Sequence, residues 1–286
     1  MSEPLKRAPL KEYAKNVTSQ FGEDGILLEI FSRLGVQLGR CIEFGAWDGK
    51  HYSNTWNLWH NLNWEALLIE GDKSRFTVLE DSTAKRKNVT VLNAFVAEAG
   101  PNALEALIEE VGFGLNVDLL SIDIDGNDYH VFESLVRCAP RVVIIEYNPT
   151  IPPDIDFVQP IGHHLGASAL AIFRLAQSKH YKVVCITDSN CILVHENEFS
   201  KLSVSEANVV NDFPRKYLSY LISGYEGDCY LTSPVTYKPT LPALTMGGFL
   251  SVKFSSIKSS RASNLEAMRA PGLIPVMLFR HDPGNE

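Results

Sequence analysis

Residues 41–55 read CIEFGAWDGKHYSNT: a short apolar run with one acid in it, two glycines within EFGAWDG, and then Ser53, Asn54 and Thr55, three residues that favour helix N-caps. The order predicts a strand, a glycine turn and a helix. In a parallel α/β sheet such a turn falls at the carboxyl edge of its strand, where backbone N–H groups and a helix N-terminus face a crevice that accepts ligands. The stretch therefore points to a fold class and to a first binding-site candidate.

Upstream, Ile26, Leu27, Ile30, Phe31 and Leu34 recur at helical spacing, which predicts an amphipathic helix over 22–34. Downstream, strand-like runs at Arg40–Phe44, Ala66–Glu70, Val89–Ala94, Leu119–Ile124 and Val142–Tyr147 alternate with helical segments near 54–61, 74–81, 102–111 and 128–136, the last with Asp128 as a candidate cap. That alternation implies a parallel sheet. After Asn148 the text becomes NPTIPPDIDFVQPIGHHLGAS, whose four prolines exclude a regular helix or a central strand and predict a long ordered loop or lid. A helix near 168–179 follows, and KVVCITD and CILVHEN flank Ser189-Asn190 as a hairpin, so the sheet gains an antiparallel end. Residues 1–200 are read as one domain. Residues 201–286, which contain PVTYKPTLPALTMGGF, are read as an irregular C-terminal appendage that packs on the domain or forms an oligomer contact such as a homodimer.

The 286 residues, 45% hydrophobic and 21% charged, suit one large domain or a domain with an appendage. No stretch approaches the ~20 consecutive apolar residues that span a bilayer, so no membrane partner is expected. The start MSEPLKRAPLKEYAK lacks the apolar core of a secretory signal, so a cytoplasmic location is expected. A net charge of −8 disfavours a broad nucleic-acid footprint and favours small or neutral partners. The five cysteines form no CxxC pair and are read as buried free thiols.

Glu43, Gly45 and Gly49 form E-x-G-x-x-x-G, and Glu70 ends the next strand 27 positions after Glu43. An acid there can accept both hydroxyls of a ribose, as in dinucleotide folds where the spacing is about 20. The bland alternative is a glycine loop that packs a helix on the sheet, with Glu70 a solvated strand end. Trp47 stands where a pyrophosphate site needs a glycine, which disfavours NAD. A nucleoside without phosphates, such as the adenosine of S-adenosylmethionine, needs only the turn, the acid and an apolar slot, and Asn93-Ala94 ends the third strand at that slot. His51, His130, His163 and His164 fall near the crevice, and any imidazole there can act as a general base or serve loop packing; the His163-His164 pair is best placed for an acceptor. Trp47, Tyr52 and Trp56 either line an aromatic slot or pack the core.

Asp123 and Asp125 at the end of the fourth strand, with Glu146 and Asn148 at the end of the fifth, form a hard-oxygen set suited to Mg²⁺ or Ca²⁺. In an extended strand Asp123 and Asp125 point the same way. The alternatives are that Asp125-Gly126 begins a turn capping the next helix, and that crowded carboxylates without a metal leave Asp123 as a general base.

The blocks SQFGEDGILLEIF, IEFGAWDGKHYSNT, ALLIEGD, DLLSIDIDGNDYHVFESL and RVVIIEYN, in this order, are similar to FkbM-type class I S-adenosylmethionine-dependent methyltransferases over about 19–148, with looser continuation to 195. The resemblance implies a Rossmann-like α/β sheet, mostly parallel with a terminal antiparallel hairpin, and S-adenosylmethionine as cofactor. It implies that Gly45 and its neighbours Glu43, Ala46, Trp47 and Gly49 hold the methionine part, that Glu70 holds the ribose, and that the segment around Asn93-Ala94 lies at the adenine, with Ser53, Gly71 and Asp123 as further cofactor contacts. Gln20 joins the donor contacts because the SQ…GED block accompanies the turn in related sequences, while Ser19 and Asp24 are open to a capping role. Where the family often shows D-V-E-G, this chain has Asp123-Ile124-Asp125-Gly126. The implied activity is methyl transfer to an oxygen, or second to a nitrogen, of a small-molecule acceptor such as a secondary metabolite or sugar, with Asp123, Asp125 and His163 as catalytic candidates. A methyltransferase-like binding or scaffold protein without turnover is the rival reading.

Overall fold

β1 (Arg40–Phe44) is the strand on which the two halves of the sheet meet. Its residues alternate: Ile42 and Phe44 enter one apolar layer and Cys41 the other, all of them fully buried. Burying an Ile or Phe side chain contributes roughly 1.5–3 kcal/mol. β1 pairs in parallel with β2 (Glu65–Glu70) on one side and with β4 (Leu119–Ile122) on the other. The computed structural model describes residues 7–223, 225 and 229–231. With β3 (Val89–Asn93), β5 (Val142–Glu146), β6 (Tyr181–Ile186) and β7 (Asn190–His195), the sheet order is β3-β2-β1-β4-β5-β7-β6. β1 to β5 are parallel, and β7 runs antiparallel to both β5 and β6. This is a Rossmann-like sheet with a terminal antiparallel hairpin.

Two helical layers cover it. α1 (Glu23–Leu34), α2 (Lys73–Thr83) and α6 (Glu196–Leu202) place Ile26, Leu27, Ile30, Phe76, Leu79 and Leu202 in one core. α3 (Leu104–Glu110), α4 (Asp128–Ser134) and α5 (Ala169–Ser178) place Leu107, Phe132 and Ile172 in the other. α1 ends as its sequence dictates, with Gly35 in the left-handed region and its N–H returned to Phe31 and Ser32 carbonyls. Cys41, Cys138, Cys185 and Cys191 are buried free thiols.

Three local readings change. The helix expected over 54–61 begins only at Trp56 and continues as a single π-helical turn, Asn57–Asn61, because Ser53, Asn54 and Thr55 are drawn onto Glu43. β4 stops at Ile122 instead of running to Ile124. The cause is Asp128, which does not cap α4 but turns back to accept the N–H groups of Ile124 and Gly126 at 2.9 and 2.8 Å. Residues 201–219, read as the start of the appendage, belong to the main compact unit; α7 (Val209–Asp212) lies there and Phe213 and Leu218 enter its core. A second unit contains the antiparallel pair β8 (Leu221–Ser223) and β9 (Cys229–Leu231). The rest of the expected appendage, from residue 232, and its oligomer contact lie outside the described residues.

Candidate functional site

The parallel strands end together at one edge, where a cavity of about 960 Å³ opens. Small-molecule sites run to about 300–1,000 Å³, and this one lies at the upper end of that range.

Its floor is the turn after β1. Gly45 adopts φ 77°, and a Cβ there would lie 1.8 Å from the Asp123 carbonyl oxygen, so the end of β4 is what demands glycine at this position. The next residues cross to β2: the Ala46 N–H donates to the Ile69 carbonyl at 3.1 Å and the Trp47 N–H to Glu70 Oε2 at 2.7 Å. Glu70 Oε1 accepts the Asp72 N–H at 2.8 Å, and Asp72 caps α2 through the N–H groups of Ser74 and Arg75. Glu70 is 5% exposed, which is not a solvated strand end. Each of its oxygens accepts one amide and keeps a lone pair, an arrangement suited to a vicinal diol. Trp47, at φ 50° and 41% exposed, puts its indole in the wall, with the Arg75 guanidinium 4.5 Å from the ring centre and the His51 ring edge-on at 4.7 Å.

Glu43 also lines the cavity but is occupied by the following segment. Oε2 accepts the hydroxyls of Ser53 (2.5 Å) and Thr55 (2.7 Å), and Oε1 accepts the Asn54 N–H (2.8 Å). Burial raises its pKa, against the opposing pull of these same donors. Ser53 in turn accepts the N–H groups of Thr55 and Trp56, just ahead of the short helix. Glu43 and Ser53 are thus the clamp that holds the turn.

Gln20 and Phe21 form part of the wall. The segment carrying them is pinned by a reciprocal pair: Asp24 Oδ2 accepts the N–H groups of Val17, Thr18 and Ser19, and Ser19 Oγ accepts the Asp24 N–H. Ser19 therefore satisfies one first-turn N–H of α1, while the Asp24 carboxylate ties down the preceding segment and does not cap the helix, whose N-cap is Gly22.

On the far half, Asp123, Ile124, Asp125, Glu146, His163 and His164 line the cavity. The proposed metal set of Asp123, Asp125, Glu146 and Asn148 does not assemble. β4 has ended before Asp123, and Asp125 sits at φ 56°, so strand alternation no longer aligns the two aspartates. Asn148 faces the loop instead, accepting from Thr150 N–H and Oγ1 and donating to the Leu165 carbonyl. Among the described residues no group of three or more His, Cys, Asp or Glu side chains is gathered to hold a metal ion. The proline-rich loop crosses this half, held by Gln159, whose Oε1 accepts the N–H groups of Leu165 and Gly166 and whose Nε2 donates to Asn127 Oδ1. His130 bonds the Gln159 carbonyl through Nε2 at 2.8 Å and does not reach the cavity.

Gly49 and Asn93 are also absent from the wall. Gly49 is a packing glycine, where a Cβ would meet Leu79 Cδ1 at 2.8 Å. Asn93 ties strand ends together by donating to the carbonyls of Glu70 and Gly71, and leaves Ala94, Phe95 and Val96 to form the slot. Phe95 is 71% exposed and lies where a Cβ on Gly71 would be, which explains that glycine. Sequence reasoning missed Phe21, Arg75, Phe95 and Tyr217. Phe95 stood one residue past the Asn93-Ala94 signal; Tyr217 lay in text read as an appendage.

A Rossmann-like sheet whose carboxyl edge carries a glycine turn, a buried acid on β2 and an apolar slot after β3 defines the class I methyltransferase architecture. Residues 50–177 match the model of the methyltransferase FkbM domain. No curated protein sequence matches the chain. Solved structures similar to it include the citrinin polyketide synthase CMeT domain (TM-score 0.39, 14% identity, 57% of this chain and 47% of that one). They also include a putative O-methyltransferase from Klebsiella pneumoniae (TM-score 0.43, 14% identity, 67% and 91%) and M. capricolum TrmK in complex with S-adenosyl-homocysteine (TM-score 0.36, 13% identity, 58% and 65%). The chain spans about half of the CMeT domain structure and less than two thirds of TrmK.

Proposed function

We propose that this chain transfers the methyl group of S-adenosylmethionine to an oxygen of a hydroxylated small molecule, such as a secondary metabolite or a sugar. The observation that carries the reading is Glu70: a buried carboxylate at the end of β2, bonded to the turn after β1 and retaining one lone pair on each oxygen. In this assignment Glu70 and Gly71 take the ribose, and the Gly45–Trp47 turn and Gln20 take the methionine part. Ala94, Phe95 and Val96 enclose the adenine.

When bound, S-adenosylmethionine supplies an electrophilic methyl carbon open to direct displacement. The protein's share is to hold the acceptor hydroxyl in line and to take its proton. Asp123, Asp125 and Glu146 at the far half favour a hydroxyl over an anionic acceptor, since carboxylates accept O–H bonds and repel like charge. Asp123 and His163 are the groups assigned to the proton. The acceptor enters beside the 149–166 loop, which supplies Gly162, His163 and His164 to the wall.

Calorimetric titration with S-adenosylmethionine, S-adenosylhomocysteine and NAD tests the reading. The first two are expected to bind at one per chain and NAD not to bind. Absence of binding by both sulfur nucleosides overturns it, and binding without methyl transfer to any hydroxylated acceptor favours the binding-protein reading.

A further inference from the structure

We propose that Glu23, together with Thr187, is a positioning residue for the cavity wall formed by Gln20 and Phe21. The inference rests on the reading of this cavity as a methyl-donor site. Glu23 is the first residue of α1 and is 0% exposed. An acid at a helix N-terminus complements the helix dipole just as well from the surface, and taking a carboxylate wholly out of water is costly unless its oxygens are bonded. Here all the bonds lead away from the helix it begins. Oε2 accepts the Phe21 N–H at 2.8 Å, and Oε1 accepts Thr187 Oγ1 at 2.6 Å and Asn190 Nδ2 at 3.1 Å, residues more than 160 positions along the chain.

Thr187 and Asn190 belong to the β6–β7 turn, which lies at the carboxyl edge because Asn190 pairs with Glu146 at the end of β5. The same turn reaches a second wall residue. Asp188 Oδ2 accepts the Tyr217 hydroxyl at 3.2 Å and pairs with the Lys216 ammonium, which stands 5.9 Å from the centre of the Phe21 ring. Tyr147, next to Glu146, donates its hydroxyl to the Thr187 carbonyl at 2.9 Å. One four-residue turn is therefore bonded to Phe21 through Glu23, to Tyr217 through Asp188 and to the end of β5 through Tyr147. Two buried oxygens of this region, Asp24 Oδ1 and Asn190 Oδ1, have no hydrogen-bond partner among the described residues.

The test compares wild type, Glu23→Ala, Thr187→Val, Gln20→Ala and the double variant Glu23→Ala/Gln20→Ala, each by calorimetry with S-adenosylhomocysteine and by thermal unfolding. Removing Glu23 is expected to raise Kd about tenfold, and Thr187→Val, which keeps the side-chain shape, about threefold. Because Glu23 acts through Gln20 and Phe21, its replacement is expected to cost less affinity in the Gln20→Ala background than in the wild type, a coupling that a merely structural role would not produce. If Glu23→Ala fails to fold, Thr187→Val decides. Wild-type affinity in a folded variant, or strictly additive losses, overturns the positioning role. Failure of the wild type itself to bind S-adenosylhomocysteine overturns the donor-site reading beneath it.

Discussion

The N–H of Trp47 donates to Glu70 Oε2 at 2.7 Å, so the turn after β1 and the end of β2 form one hydrogen-bonded unit. A single carboxylate thus shapes the cavity floor and presents acceptors to whatever lies on it. These two tasks separate in mutants. Glu70→Ala is expected to weaken S-adenosylhomocysteine binding by about 1.5–3 kcal/mol and to lower stability by about 1–3 kcal/mol, since the Trp47 and Asp72 amides lose a buried partner. Calorimetry and denaturant unfolding of the same sample measure both; unchanged affinity in the folded variant would remove the ribose assignment.

Gly45→Ala is expected to cost more than about 2 kcal/mol in unfolding free energy, because the new Cβ meets the Asp123 carbonyl and the left-handed φ strains any other residue. Gly35→Ala provides the comparison. Gly35 is also left-handed but nothing lies within 4 Å of its Cβ position, so strain acts there without a clash. Equal losses at the two sites would show that the contact with β4 has no weight.

Stability should fall as pH rises through the range where Glu43 ionises. Burial raises the Glu43 carboxyl above its ordinary value of 4.5, and burial likewise raises Asp128. The folded state therefore holds these protons more tightly than the unfolded chain does. Their stabilising effect is complete below the ordinary value and is lost as pH climbs through the folded one. Wild type is expected to gain stability relative to Glu43→Gln between about pH 7 and about pH 5, read from denaturant midpoints. A difference independent of pH contradicts the burial argument.

Gln159→Leu should loosen the 149–166 loop while leaving the sheet intact. Gln159 is buried and bonds Leu165, Gly166 and Asn127 at once, so the apolar replacement strands several groups, at about 1–3 kcal/mol each. Hydrogen exchange is expected to quicken at Leu165 and Gly166 and to stay slow in β1 and β4. Uniform acceleration across both regions would mean that the loop and the sheet open together.

The alternating architecture was legible because β1, β2, β4 and β5 are short apolar runs with helical text between them, a pattern that only a covered parallel sheet satisfies. Glu43, Glu70 and the Gly45 turn were legible as a group at one sheet edge for the same reason. What stayed hidden depends on where side chains turn after a strand ends. Asp123 and Asp125 read as neighbours on one strand face, but Asp128 reaches back and ends the strand before either. Asn148 read as a ligand and serves the loop. Tyr217 could not be found from local pattern, because its place in the wall depends on a return of the chain after α6 that no periodicity announces.

Placing β1 between β2 and β4 has a consequence for how the chain is made. The partner on one flank of β1 follows almost at once, but the other flank waits until Ile122 has been synthesised, 78 residues after Phe44 (122 − 44). At about 5–20 residues per second, that flank stays unpaired for about 4–16 s of translation. Cys41, Ile42 and Phe44, among the most deeply buried residues of the finished molecule, spend that time on an open strand edge. The nascent chain is therefore most open to mispairing, and most dependent on whatever shields it, between the appearance of β3 and the arrival of β4.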